Sequence, residues 1–342
     1  MTIDRGARVT ISDIADRLGI SKASVSYALN GRKGVSEETR RKVLELADAV
    51  GFQASSAAVA LSASRSGTIG IVIARDPSVI TAEGFYMRTL FGVEQYLNEA
   101  DGALLLRLTG EDGEDLDVYR RWARQRRVDG FLLFDEFEDD ARIPLLDSMG
   151  MPAVLVTSKD LDDPIGRLIT PEIETVKVLL DHLHTLGHKR IAHVSGPTSY
   201  VHEQVRAELL RAEGEARGMK VTHVAGTYEY ESGAECTSRL LGGRWPPTAI
   251  VLGNDIMATA SLRTAADRGV RVPRDLSIVA WDDSVLCVVA RPRLTAMDHG
   301  LVEKARLATD LLHQLIDGSS ERHRRSPVGT LLVRSSTGPA PR

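Results

Sequence analysis

The stretch TISDIADRLGISKASVSYALNG, Thr10 to Gly31, reads as two short helices joined by a tight turn. Thr10 or Ser12 can cap the first helix, Ile11, Ile14, Ala15 and Leu18 recur at helical spacing, and Gly19 ends it. Ser21 then caps a second helix in which Val25 and Leu29 turn inward, with Gly31 and Gly34 marking its exit. The outer face of this second helix is bare: Ser21, Ser24 and Ser26 are small hydroxyl residues, and only Lys22 and Tyr27 are long beside Ala23. A helix of this kind enters the DNA major groove by its N-terminal end. Small hydroxyls permit close approach to phosphates, Lys22 can donate to guanine acceptors, and Ala23 offers only apolar contact, for instance to a thymine methyl.

A third helix is expected from Ser36, where SEETRRKVLELADAVG places acidic residues in the first turn and Val43, Leu44, Ala47 and Val50 on one face before Gly51. So small a bundle needs a larger body beside it. Residues 52–67, FQASSAAVALSASRSG, are rich in alanine and serine and suit a segment that is helical when docked and flexible when free.

Beyond the linker the texture changes to short apolar strands: TIGIVIA (68–74), ALLLRL (103–108), GFLLF (130–134), AVLVT (153–157), RIAHVSG (190–196), TAIVLGN (248–254) and LSIVAWDD (276–283), with TLLVRSS (330–336) last. Amphipathic helical patterns separate them. Such alternation predicts parallel sheets covered on both faces, a doubly wound α/β architecture. The strands divide at about residue 168 into two similar halves, with a cleft between them as the natural ligand site.

Composition agrees with a soluble chain of more than one domain: 342 residues, 43% hydrophobic and 26% charged. The formal net charge of −4 is unevenly spread, with ten Lys/Arg against seven Asp/Glu in residues 1–66 and 33 against 40 in the rest. An excess of this size does not by itself identify a nucleic-acid partner, so the helical motif has to carry that reading. No apolar run reaches the roughly 18 residues of a membrane span. Residues 1–20 carry Asp4, Arg5, Arg8, Asp13, Asp16 and Arg17 in place of an apolar leader, so a cytoplasmic protein is expected. Cys236 and Cys287 lack CxxC spacing and read as reduced packing residues, and no metal or cofactor is expected.

An enzyme finds no support in the motifs. GxxxxGK[ST] and GxSxG are missing, and His202 and Glu203 open HEQVR, which lacks the second histidine of a zinc site. His182 and His184 are two apart on a predicted helix and face different ways. The pairs Asp139 with Asp140 and Asp162 with Asp163 read as solvated turn residues.

The segment VTISDIADRLGISKASVSYALNGRKGVSEETRRKVLELADAVGF (9–52) resembles the DNA-binding headpiece of the LacI/GalR family of bacterial transcriptional regulators. The similarity continues through GHKRIAHVSGP (187–197), Asn254 with Asp255, RGVRVPRDLSIVAWDD (268–283) and RPRLT (291–295). It implies a helix-turn-helix headpiece over residues 1–54, a hinge helix or linker over 55–66, and a sensing and dimerisation domain over 67–342. That domain would be a two-lobed α/β body like periplasmic binding proteins, the N-lobe about 67–168 plus 297–325 and the C-lobe about 169–296 plus 326–337.

Carried over by resemblance, Thr10, Ser21, Ser24, Ser26 and Asn30 would sit on phosphates, Lys22, Ala23 and Tyr27 would read bases, and Leu61 would wedge into the minor groove. Phe85, Arg206, Tyr228, Asn254, Trp281 and Asp282 would line the effector cleft, with Tyr228 as the stacking aromatic. The resemblance implies a homodimer on double-stranded operator DNA, a repressor answering to a small carbohydrate effector, and no leucine-heptad tail follows to make a tetramer. A non-sugar effector, or no ligand response, is the alternative. Departures from the family pattern stand at Ala54, Ser55 and Val59 in the hinge, at TPEIE (170–174) and AMDHG (296–300), and at Tyr27, where arginine is common.

Overall fold

The computed structural model describes residues 9–29, 33–52, 65–75, 80, 84–110, 113–162 and 164–341. Two compact units emerge, Met1–Ser66 and Gly67–Arg342. In the first, α1 (Ile11–Leu18), α2 (Lys22–Leu29) and α3 (Glu37–Ala49) enclose a core of Ile14, Ala15, Val25, Ala28, Val43 and Ala47. Thr10 opens α1 with a capping box: its hydroxyl accepts from the Asp13 N–H, and the Asp13 carboxylate accepts from the Thr10 N–H at 2.7 Å. Gly19 closes α1 at φ 65, and Ser36 caps α3. One expected core residue is displaced: Leu44 is 47% exposed, and Leu46 packs inward instead. At about 100° per residue, positions 43, 46 and 47 share a face that 44 leaves.

The second unit has two lobes, each built on a six-stranded sheet. The N-lobe sheet contains β1 (Thr68–Ala74), β2 (Ala103–Thr109), β3 (Gly130–Leu133), β4 (Ala153–Thr157), β5 (Gly166–Ile169) and β11 (His323–Arg325), ordered β11-β5-β4-β3-β1-β2 and parallel throughout. The C-lobe sheet contains β6 (Arg190–Ser195), β7 (Lys220–Ala225), β8 (Ala249–Leu252), β9 (Ser277–Ala280), β10 (Thr295–Asp298) and β12 (Thr330–Leu332). Its order is β12-β10-β9-β8-β6-β7, with only β12 antiparallel.

Helices cover both faces of each sheet, which is why the central strands are apolar without alternation. In the N-lobe, Ile69, Ile71 and Ile73 pack with α4 (Gly84–Glu99) and α12 (Leu301–Ile316), while Val72 and Phe131 face α5 (Asp115–Arg124) and α6 (Arg142–Ser148). In the C-lobe, Ile191 and Val251 face α7 (Glu172–Thr185) and α8 (Val201–Ala216). Ala192 and Ile250 face α9 (Tyr230–Leu241) and α10 (Asp255–Asp267).

The chain passes between lobes three times: from β5 to α7, from β10 to α12, and from β11 to β12. Ile169 still belongs to β5, and Met297 and Asp298 to β10, so the changes of lobe fall slightly later than residues 169 and 297. TPEIE and AMDHG lie on the first two passages. Among the described residues no helix is long and apolar enough to cross a membrane, and no group of His, Cys, Asp or Glu could hold a metal ion. Cys236 and Cys287 are free and buried.

Candidate functional site

In the headpiece, Ser21 accepts from the Ser24 N–H at 3.0 Å, and the two hydroxyls lie 2.9 Å apart, so both are engaged at the start of α2. Thr10 is engaged likewise at α1. Lys22, Ala23 and Tyr27 are exposed, Ser24 and Ser26 are half-buried, and Val25 is buried. Tyr27 is not loose: a Cβ on Gly34, whose φ is +124°, would fall 3.0 Å from the Tyr27 Cδ2. Its ring therefore lies on the glycine backbone. Asn30, Leu61 and the hinge positions Ala54, Ser55 and Val59 lie outside the described residues.

In the second unit the lobes enclose a cleft holding about 930 Å³ of empty space, counting solvent at its mouth. Five of the six expected residues line it: Phe85, Arg206, Tyr228, Trp281 and Asp282. Asn254 does not. It caps α10 by accepting from the Met257 N–H at 2.8 Å, and it donates to the Tyr228 carbonyl at 2.9 Å, so its amide supports the cleft from behind.

Arg206 is buried, donates to Glu172 at 2.8 Å and to Glu203 at 2.6 Å, and stacks 4.1 Å from the Trp281 ring centre. Burial disfavours the Glu203 carboxylate, but Arg206 and then His202 override it and hold the group at about 2. The Tyr228 phenol donates to Glu203 and receives the His202 Nε2–H at 3.0 Å. Tyr228 is not the open stacking face that was expected. Its φ is 69°, its ring lies so close to Gly196 that any Cβ there would overlap it at 2.0 Å, and the Arg75 guanidinium sits 5.2 Å from its centre. Gly196 and Arg75 thus pack against the ring, and the left-handed backbone marks the place as one the fold over-determines.

Arg75 follows β1 directly and makes a two-point pair with Asp135 at 3.2 and 2.9 Å, while lying 4.2 Å over the Tyr200 ring of the other lobe. Burial opposes ionisation of Asp135, and the Arg75 charge outweighs it to hold the carboxyl at about 2. Tyr86 donates to the same carboxylate at 2.6 Å. The Asp139–Asp140 pair is half corrected: Asp139 is exposed, but Asp140 is buried and paired with Arg142 at 2.6 Å. Arg142 also donates to the Phe134 and Asp135 carbonyls, which fixes the loop that carries Asp135.

Sequence reasoning missed Arg75, Asp135, Glu172, His202, His299 and Lys304, all of which line the cleft. Glu172 and His299 lie in TPEIE and AMDHG, whose departure from pattern was the available signal. His299 donates to the Trp281 carbonyl at 2.8 Å, and burial keeps its imidazole well below the usual histidine range, hence neutral. The site is therefore a two-walled cavity with carboxylate acceptors, guanidinium and ammonium donors, and the Phe85 and Trp281 rings.

The profile for "Bacterial regulatory proteins, lacI family" matches residues 10–55, and that for "Periplasmic binding protein-like domain" matches residues 180–337. The HTH-type transcriptional regulator CelR of Thermobifida fusca is 28% identical over 98% of this chain and 100% of its own. The crystal structure of a LacI family transcriptional regulator from Bifidobacterium animalis subsp. lactis is 34% identical, covers 81% of this chain and 99% of its own, and superposes with a TM-score of 0.76. A transcriptional regulator CelR–cellobiose complex is 27% identical over 96% of this chain and 100% of its own, with a TM-score of 0.72.

Proposed function

Since the chain belongs to the LacI family of bacterial transcriptional regulators, a family of DNA-binding proteins and not of enzymes, we propose that it is a homodimeric repressor whose operator affinity is set by a small molecule bound between its lobes. The observation that carries the effector reading is the cleft itself. Arg206, Glu172 and Asp282 offer polar groups to a hydroxyl-rich ligand, and Trp281 and Phe85 offer apolar ring surface. The CelR neighbour in complex with cellobiose supports a carbohydrate.

A ligand that binds one lobe arrangement better than the other shifts the population between them, and that difference is what reaches the DNA. Lys22, Ala23 and Tyr27 read bases in this proposal, and the caps of α1 and α2 approach phosphates. Asn30 and Leu61 keep the phosphate and minor-groove roles that resemblance gives them. The dimer reading is supported by apolar side chains left in solvent: Met87 and Phe91 on α4 and Val285 and Val289 on the short helix α11 (Val285–Val289) are exposed. Arg88 donates to the Asp283 carbonyl at 2.8 Å, which joins these two patches across the lobes.

Selection of bound DNA from a random pool tests the operator claim, and screening sugars for release tests the effector claim. Recovery of no two-fold related half-sites would sink the first, and no release by any small molecule would sink the second.

A further inference from the structure

Of the arginine and lysine side chains that line the cleft among the described residues, one stands apart. Arg75 is paired with Asp135, and Arg206 with Glu172 and Glu203. Lys304, on the first turns of α12, lines the same cleft and makes no hydrogen bond or ion pair through its ammonium among the described residues. Its surroundings make this an expensive place for a cation. Burial lowers its proton affinity, Leu301 and Ala305 flank it on the cavity wall, and α12 starts at Gly300 with no side-chain cap. The uncapped N–H groups at that helix start carry partial positive charge, which repels an ammonium and attracts an anion. Ser158, at the end of β4 on the same wall, holds a second unsatisfied group: its Oγ is buried and without a partner.

We infer that the cleft takes a polyhydroxylated ligand bearing an acidic group, a carboxylate or a phosphate, which pairs with Lys304 on the N-lobe wall while its hydroxyls meet Glu172 and Asp282 on the C-lobe wall. The inference rests on the effector reading above and deepens it. An anion at Lys304 supplies the partner that the protein withholds, and the ligand then bridges both lobes. Glu172 and Asp298 also act on Lys304 through space, Glu172 the more strongly, but Glu172 is already held by Arg206 at 2.8 Å. Asp282 influences Lys304 only through space, and its Oδ1 lies 3.9 Å from the His299 Nε2. Neutral His299 adds no competing positive charge.

The test is calorimetric titration of the full-length protein and of Lys304→Met and Lys304→Arg. The probes are D-glucuronate and D-gluconate, glucose 6-phosphate, and the neutral sugars D-glucose and cellobiose. The expected result is that a carboxylate or a phosphate probe binds at least tenfold tighter than the neutral sugars. Lys304→Met should abolish that preference and Lys304→Arg should keep most of it, and the acidic arm that responds identifies the group. Lys304→Gln serves in the same role if the methionine variant does not fold. Neutral sugars binding as tightly as acidic ones, or a preference unchanged in Lys304→Met, overturns the acidic assignment and leaves the effector reading standing. Binding of none of the probes overturns both.

Discussion

The Arg75 guanidinium lies 4.2 Å from the centre of the Tyr200 ring, so a side chain from the end of an N-lobe strand rests on an aromatic of the C-lobe. It is held there by Asp135, and Phe137 and Tyr200 form a backbone bridge alongside. Arg75 also lines the cleft between the lobes. Removing Arg75 would leave the Asp135 carboxylate with little compensation. Arg75→Ala is expected to destabilise the second unit by about 3 kcal/mol, whereas Arg75→Met with Asp135→Leu should recover most of the loss. Urea denaturation of both variants checks this, and equal losses in the single and double variants would contradict it.

Tyr27 and Gly34 form a second such pair. Any side chain at position 34 meets a φ of +124° and the tyrosine ring 3.0 Å away. Gly34→Ala should therefore lower headpiece stability by about 1–3 kcal/mol. It should also relax base preference at the same operator position as Tyr27→Ala, and Tyr27→Arg should shift that preference. DNA selection with each variant reads this out, and an unchanged operator would refute it.

Acid should weaken the second unit in two stages. Burial holds His193 at about 3 against its ordinary 6.5, and Glu203 sits at about 2 against 4.5. Both folded values are depressed, so the unfolded chain takes up these protons first. Stability is then full above about pH 6.5 and declines below it, with Glu203 adding to the slope below about 4.5, each group contributing about 1.4 kcal/mol per pH unit. His193→Phe should flatten the first stage in urea denaturation at a series of pH values, and an unchanged slope would count against it.

Charge placed on the apolar strip should separate the dimer. Phe91→Glu on α4, exposed in the single chain at 56%, is expected to sediment as a monomer and to lose operator affinity by about 100-fold or more, as two linked headpieces become one. A dimer that persists would move the interface elsewhere.

The headpiece was legible because its signals are local. Thr10, Gly19, Ser21 and Ser36 lie within a turn of the groups they cap, and a 3.6-residue period carries the core. Leu44 was misplaced because Leu44 and Leu46 compete for one stripe and only packing decides. The long apolar strands were equally plain, but β5, β7, β10 and β11 were not singled out; three are three or four residues long, and edge strand β7 mixes lysine and histidine with valine. The cleft was half legible. Arg206, Trp281 and Asp282 follow from resemblance, whereas Arg75 meets Asp135 across 60 residues and Lys304 is marked by the lack of a partner, which no spacing can display. Asn254 was assigned to a ligand because a buried amide and a ligating amide look alike in sequence.

The N-lobe does not own a continuous stretch of chain. Ala305, Ala308, Leu311 and Leu312 of α12 fill its core, and β11 completes its sheet, yet both are translated after the entire C-lobe. A ribosome that has produced the first 300 residues has released every residue of the headpiece core, while the N-lobe still lacks α12 and β11. Biogenesis thus separates the two units in time: a prematurely ended chain carries the whole helix-turn-helix sequence but cannot complete the two-lobed body beside it.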